Sequence, residues 1–121
     1  MSKRATTRAS FKATPAVERP AAGAGSIPTK FREGDRVRVR RIFPLGHIRT
    51  PWYIRGCTGV VERICGAYPN PEELAYHRSG LPAQPLYRVR FLQHDVWPEY
   101  RGHATDTVDL EIYQHWLEED Q

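Results

Sequence analysis

The sequence has little cysteine. Cys57 and Cys65 are its only two cysteines, and they stand eight residues apart. They form no C-x-x-C pair, and no second pair follows at the spacing of a metal site. We therefore expect neither a disulfide nor a metal bound by this chain, and we assign both residues to ordinary turn or strand packing.

Long hydrophobic runs and compact catalytic motifs are also missing. No apolar stretch approaches the ~18 residues that cross a bilayer, and none is typical of a signal peptide. The sequence contains no G-x-S-x-G, no H-E-x-x-H and no phosphate-binding loop. We expect a cytoplasmic protein that contacts no membrane and has no activity alone.

Positive charge is concentrated at the start of the chain. Residues 1–30 hold six Lys or Arg and one Glu, a formal charge of +5, and the rest of the chain carries −1. Ala, Thr, Ser, Gly and Pro fill most other positions in 1–30, which predicts a flexible basic arm. Residues 31–121 then form one small domain, and we expect a partner subunit to cover part of its apolar surface.

Short alternating segments predict an all-β fold. Val37 and Val39 alternate with arginines, and further strands are predicted at 58–65, 86–92 and 107–112 after a first one at 36–42. A helical turn is predicted at 113–118. Four strands and a terminal turn are enough to build a small SH3-like barrel.

Two connections between the strands are unusual. Phe43 to Gly56 contains Pro44 and Pro51, so an ordered loop without regular structure is predicted. Gly66 to Pro85 is long for a compact domain, which is typical of a functional or covered loop, and 71–77 could form one or two helical turns.

Several ordered blocks of residues resemble a known family. Between Gly34 and Gly59, a G-D-R-V-R-V-R strand precedes an ordered set of loop residues. These are Gly46, His47, Arg49, Pro51, Tyr53, Arg55, Gly56 and Gly59. Pro85 to Phe91 and Asp106 to Glu118 continue the pattern. Together they resemble the C-terminal part of the nitrile hydratase beta subunit over about residues 31–118, a far more specific match than one short motif.

The resemblance implies a chemical role for Arg49. In this family a low-spin cobalt(III) or iron(III) is held by a C-x-x-C-S-C cluster of another subunit, in which two cysteines are oxidised. The sequence has no such cluster. The beta subunit contributes arginines that hydrogen-bond the oxidised sulfur, and Arg49 matches one of them; a planar guanidinium can satisfy two oxygens of such an anion. Without the resemblance, Arg49 would be interpreted as a solvent-facing loop residue.

Four further residues of the loop are assigned supporting or interface roles. Arg55 is expected to hold the loop through backbone carbonyls or through a carboxylate such as Glu62 or Asp95. His47 is interpreted as a link to a partner or as a packed loop histidine. Trp52 and Tyr53 are predicted to line an interface or a pocket.

The resemblance therefore predicts a non-metal-bearing barrel subunit of a hetero-oligomeric nitrile hydratase, which converts a nitrile and water to an amide. The helical half of the family's beta subunit has no counterpart here, so a separate chain is expected to supply it. The segment Asp95 to Tyr100 is more similar to the thiocyanate hydrolase small subunit, so that alternative stays open, as do cobalt and iron.

A rival interpretation is a binding module for RNA or protein. Arg36, Arg38, Arg40 and Arg41 lie near Trp52 and Tyr53 in the sequence, an arrangement also found in small nucleic-acid-binding barrels. The near-neutral charge of residues 31–121 argues against nucleic acid. A factor that helps to load metal into a partner is a third hypothesis.

Overall fold

A computed structural model describes residues 26–120 of the chain. It has five strands: β1 (Arg36–Val39), β2 (Thr58–Tyr68), β3 (Gln84–Leu92), β4 (Thr107–Tyr113) and β5 (Leu117–Glu119). Two one-turn α-helices, α1 (Pro71–Leu74) and α2 (Gln93–Val96), and two 3₁₀ helices at Trp52–Ile54 and Gln114–Trp116 connect them. The predicted all-β class is confirmed. None of the helices described is long and apolar enough to cross a membrane.

The strands form one antiparallel sheet in the order β4-β3-β2-β1-β5. The last strand returns beside the first, with Val39 opposite Leu117 and Val37 opposite Glu119. The two ends of this sheet are β4 and β5, so the arrangement is consistent with an SH3-like barrel that is not closed. Val108, Leu110 and Ile112 lie on β4, which is an edge strand.

The end of the chain differs from the prediction. The helical turn predicted at 113–118 is shorter, a 3₁₀ helix at Gln114–Trp116, and the residues after it pair with β1 as β5. The backbone N–H of Arg40 donates to the Trp116 carbonyl at 2.8 Å at the start of this pairing. Three residues are too few to show the alternation by which the longer strands were predicted.

The buried residues of the core form one hydrophobic cluster. Trp116 is 2% exposed and reaches this core from the 3₁₀ helix that precedes β5. The other members are nonpolar or aromatic residues from every strand, from the first loop, from α2 and from the segment before β1. They are Phe31, Val37, Val39, Ile54, Val61, Tyr87, Val89, Phe91, Val96, Ile112 and Leu117.

A buried glutamine attaches the segment before β1. The side-chain amide of Gln114 donates to the Pro28 carbonyl at 3.0 Å, and its oxygen accepts from the Lys30 N–H at 2.8 Å and from the Tyr87 hydroxyl. Ser26 also bridges to Ala83. Residues 26–30, which the sequence analysis assigned to the arm, thus lie against the sheet. The remainder of the predicted arm, residues 1–25, lies outside the described residues.

The two long connections contact each other. The second contains α1, whose N-terminus is capped by the Asn70 side chain accepting from the Glu72 N–H at 2.9 Å. The first contains Gly46 in a positive-φ conformation (98°), and a Cβ at this position would overlap the Tyr76 hydroxyl of the second. Two features therefore require glycine at position 46: the positive-φ backbone conformation and the close approach of the Tyr76 side chain.

Candidate functional site

Arg49 lies on the first long loop, against the edge strand β4. Its Nη1 atom donates to the Glu111 carbonyl at 2.6 Å, and its guanidinium carbon lies 5.5 Å from the centre of the Tyr113 ring. The Glu111 carboxylate is 4.0 Å from Nη2. The Arg49 side chain remains 43% exposed. The guanidinium is thus held on one side and open to solvent on another.

A pocket of about 460 Å³ borders Arg49. Tyr113 and Glu111 from β4 form one wall, and α1 contributes Pro71 and Leu74. The remaining lining residues come from β2, from the turn after it and from β3: Arg63, Cys65, Tyr68, Pro69 and Leu86. Burial raises the pKa of the Tyr113 hydroxyl, and the neighbouring Arg49 charge partly offsets that effect. Tyr113 is therefore a neutral wall at physiological pH.

Glu72 joins α1 to the 3₁₀ helix after β4, near this pocket. Its carboxylate oxygens contact the His115 Nε2 at 2.7 Å and accept from the Trp116 indole N–H at 3.1 Å. Burial alone would raise the Glu72 pKa, but the hydrogen bonds from His115 and Trp116, the charge of His115 and the Arg49 backbone N–H together lower it. The carboxylate is therefore ionised at neutral pH and belongs to the site.

Arg55 contacts carbonyls, not carboxylates. Its two terminal nitrogens donate to the Ile42 carbonyl at 3.1 Å and to the Thr50 carbonyl at 2.7 Å. The guanidinium also lies 4.8 Å from the Trp116 ring centre and 5.2 Å from that of Phe43. Of the alternatives left open, the carbonyl contacts are the ones that the structure contains. Arg55 therefore holds the chain at Ile42 and at Thr50, on either side of Arg49.

Trp52 and Tyr53 belong to a separate aromatic patch, which Trp97 completes. Tyr53 stacks on Trp97 with ring centres 4.9 Å apart, and Trp52 meets Tyr53 edge to face at 6.1 Å. Trp52 is 71% exposed and Trp97 is 40% exposed. His47 is also exposed on the same loop. The structure therefore does not gather all the predicted residues in one pocket: Arg49 faces β4, while Trp52 and Tyr53 face α2.

The arginines of β1 are neutralised in part by the chain itself. Arg36 donates to the Asp120 carboxylate at 3.0 Å, and Arg38 donates to Glu118 at 3.2 Å. Arg40 donates to the His115 carbonyl. Pairing with acids of β5 and its end reduces the positive field that a nucleic-acid-binding strand would present.

The described residues offer no set of metal ligands. No group of three or more His, Cys, Asp or Glu side chains lies together between residues 26 and 120. Both cysteines are free, and burial raises the pKa of each thiol. Protonated thiols are poor nucleophiles and poor metal ligands.

Residues 20–119 match the family described as nitrile hydratase beta subunit, C-terminal. The chain belongs to this family. The resemblance found in the sequence is confirmed, because the match extends over most of the chain and includes every block on which the resemblance was based.

Two curated relatives differ in how much of their length the chain covers. Thiocyanate hydrolase subunit alpha of Thiobacillus thioparus is 37% identical over 91 residues, which are 74% of this chain and 71% of the relative. The cobalt-containing nitrile hydratase subunit beta of Pseudonocardia thermophila is 36% identical over 100 residues, 82% of this chain. The chain spans only 42% of that nitrile hydratase subunit.

A solved structure shares the fold. A chain of the recombinant apo-enzyme of thiocyanate hydrolase from Thiobacillus thioparus superposes with a TM-score of 0.74 at 35% identity. The match covers 80% of this chain and 81% of that chain. The family's barrel domain is therefore common to proteins named for two different substrates.

Sequence reasoning missed three residues of the site. Glu111 and Tyr113 stand two apart on β4, which is the spacing of neighbours on one face of a strand, so the alternation could have placed them together. Glu72 gave no such signal, because its partner His115 is 43 residues away in the chain. Only the folded chain brings these two residues together.

Proposed function

We propose that this chain is the barrel subunit of a hetero-oligomeric nitrile hydratase and that Arg49 binds an oxidised cysteine of a metal-bearing partner. The observation that carries the proposal is the position of the guanidinium. It is anchored on Glu111 and Tyr113, and its side chain is 43% exposed beside a pocket at the molecular surface. Membership of the family supports the assignment.

The geometry suits an anion that arrives from outside the chain. Arg49 has five N–H donors, and among the described residues its side-chain hydrogen bond uses only Nη1. A sulfinate or sulfenate oxygen could accept from the remaining donors at ~2.7–2.9 Å, in a charge-assisted pair. The Glu111 carboxylate, 4.0 Å from Nη2, keeps the charge balanced until such a partner is present.

The metal itself does not fit this chain, because the described residues form no ligand set. In the proposal the cobalt or iron belongs to the partner, where it supplies Lewis acid chemistry to the substrate. The role of this chain is to hold an anionic ligand of that centre in one orientation. Loss of such a contact typically costs ~10 to 100-fold in activity or metal affinity.

A second candidate function is the same role in a thiocyanate hydrolase. The observation that favours it is the shared fold: the thiocyanate hydrolase chain superposes on 80% of this chain with a TM-score of 0.74 at 35% identity. In this case thiocyanate and two waters would give carbonyl sulfide, ammonia and hydroxide.

The proposal is tested by co-expressing the chain with two candidate partners from the same genome, one that has the C-x-x-C-S-C cluster and one that resembles the helical half. The complex is purified, its cobalt and iron are measured, and hydration of a nitrile and hydrolysis of thiocyanate are assayed. Arg49→Ala is expected to leave assembly intact and to lower turnover ~10 to 100-fold.

The matched control is Arg101→Ala, which removes an exposed arginine on another loop. It should leave turnover unchanged. A complex in which both variants behave alike would overturn the role of Arg49. A chain that stays alone and instead binds RNA with a steep salt dependence would support the binding-module interpretation.

A further inference from the structure

We infer that Glu72 is a positioning residue for Arg49, since its carboxylate fastens α1 to the segment that carries both side-chain contacts of Arg49. This inference rests on the proposed function and extends the site to the second long connection. From the sequence, that connection was predicted only to be a functional or covered loop.

The contacts of Glu72 lie next to the residues that hold Arg49. One carboxylate oxygen meets His115 and the other accepts from Trp116, which closely follow Tyr113 at the end of β4. Glu111 and Tyr113 are the residues that Arg49 itself contacts. Glu72 therefore ties α1 to the end of the strand that holds the guanidinium.

The low solvent exposure around Glu72 strengthens these hydrogen bonds. Its side chain is 17% exposed, that of His115 is 26% exposed, and Trp116 belongs to the core. Hydrogen bonds to a charged acceptor that water reaches poorly are stronger than those at the surface. The Asn70 cap holds the Glu72 backbone as well, so both ends of this residue are fixed.

Its neighbour Glu73 has the opposite character and provides a control. Glu73 pairs with Arg78, and both side chains are largely exposed, at 43% and 60%. An exposed pair of this kind contributes little to structure. Glu73→Gln therefore makes the same chemical change one residue away without touching Arg49.

The experiment compares Glu72→Gln, Glu73→Gln, Arg49→Ala and the double variant Glu72→Gln/Arg49→Ala in the purified, metal-containing complex. Turnover is expressed per metal bound, so that altered assembly does not contribute. Glu72→Gln is expected to lower kcat about tenfold, the lower end of the range for outer contacts of a metal centre. In the Arg49→Ala background the same change should have no further effect, because the two residues act as a unit.

The outcomes separate this inference from the proposed function. An unchanged turnover for Arg49→Ala would sink the proposed function itself. A loss for Arg49→Ala with none for Glu72→Gln would overturn only the positioning role. An equal loss for Glu72→Gln with and without Arg49 would also overturn it, since a general structural role predicts that additivity.

A measurement on the free chain covers the case in which Glu72→Gln does not assemble. Exchange of the Trp116 indole N–H, which donates to the Glu72 carboxylate at 3.1 Å, should become at least about tenfold faster in this variant. The Gln93 amide, which donates to the Asp106 carbonyl at 2.8 Å, is the internal reference and should not change. Unchanged exchange at the Trp116 indole would overturn the inference.

Discussion

Arg49 donates a hydrogen bond of 2.6 Å to the backbone carbonyl of Glu111, a residue 62 positions later in the chain. The contact joins the first long loop to the outer edge of β4, and the Tyr113 ring supports the guanidinium beside it. A carbonyl acceptor cannot titrate, so this anchor does not depend on pH. It leaves the guanidinium charged and accessible, which is what binding to an external anion requires.

The packing of Gly59 gives a first prediction. A Cβ at Gly59 would lie 2.7 Å from the Arg90 carbonyl and 2.8 Å from both Phe91 and Val89. Gly59→Ala should therefore cost about 2–3 kcal/mol of unfolding free energy through overpacking. Urea unfolding measures the loss.

Gly34→Ala is the comparison for that variant. Gly34 has a φ of 94°, but nothing lies within 4 Å of the position that an added Cβ would take. Only the backbone conformation opposes the substitution, at a cost of roughly 1 kcal/mol. If Gly34→Ala proves more damaging than Gly59→Ala, the close approach of β2 and β3 at Gly59 is not as described.

The buried Tyr87 hydroxyl gives a second prediction. It donates to the Gln114 side chain and lies 3.2 Å from the Lys30 N–H. Tyr87→Phe should lower the unfolding free energy by about 1–2 kcal/mol, because buried polar partners lose a hydrogen bond. Tyr76→Phe removes the hydroxyl of a tyrosine that is 51% exposed and should change stability by less than about 0.5 kcal/mol. Equal effects would mean that the Gln114 contacts do not hold residues 26–30.

The ionised Glu72 gives a prediction about pH. Its pKa is lowered in the folded protein, so its contribution to stability is present above the unfolded value of ~4.3 and is lost as the pH falls through the folded value. At pH 7 the unfolding free energy of the wild-type chain should be about 1–2 kcal/mol higher than that of Glu72→Gln. That difference should shrink steadily below pH ~4. Urea unfolding of both proteins at pH 7 and below pH ~4 measures this difference. A difference that does not change with pH would contradict the ionised state of Glu72.

The aromatic patch gives a prediction about assembly. Trp52 is 71% exposed, so Trp52→Ala should change the stability of the free chain by less than about 0.5 kcal/mol. If a partner covers the patch, the same change should weaken association about 30-fold, as expected for a tryptophan at the centre of an interface. Titration calorimetry with the assembled partners measures this. Leu81→Ala, at a residue 50% exposed on the other connection, should leave affinity unchanged.

The parts of the fold that were predicted from sequence are those with a local signal. Alternating residues placed β1 to β4 within a few positions, and the prolines correctly excluded regular strands from the first loop. The pairing of β5 with β1 had no such signal, because the three residues from Leu117 to Glu119 are too few to show an alternation. The attachment of residues 26–30 was also missed, since it depends on one side chain, Gln114, that is 84 residues from Lys30.

The candidate site divides in the same way. Arg49 and Arg55 were identified because each matches a residue of the family's ordered motif, and the structure shows what each one contacts. The role of Glu72 could not be read from the sequence, because an acidic residue at the first turn of a helix is ordinary. Its importance comes from the fold, which brings α1 against the turn after β4.

The central claim is that Arg49 binds an anionic sulfur ligand of a partner. The most direct test is a structure of the assembled, metal-containing complex, in which the distance from the Arg49 terminal nitrogens to the oxidised cysteine oxygens is measured. We expect a separation of ~2.7–2.9 Å for at least one pair. An Arg49 that still contacts only Glu111 and faces solvent, with the oxidised sulfur beyond hydrogen-bonding reach, would contradict it.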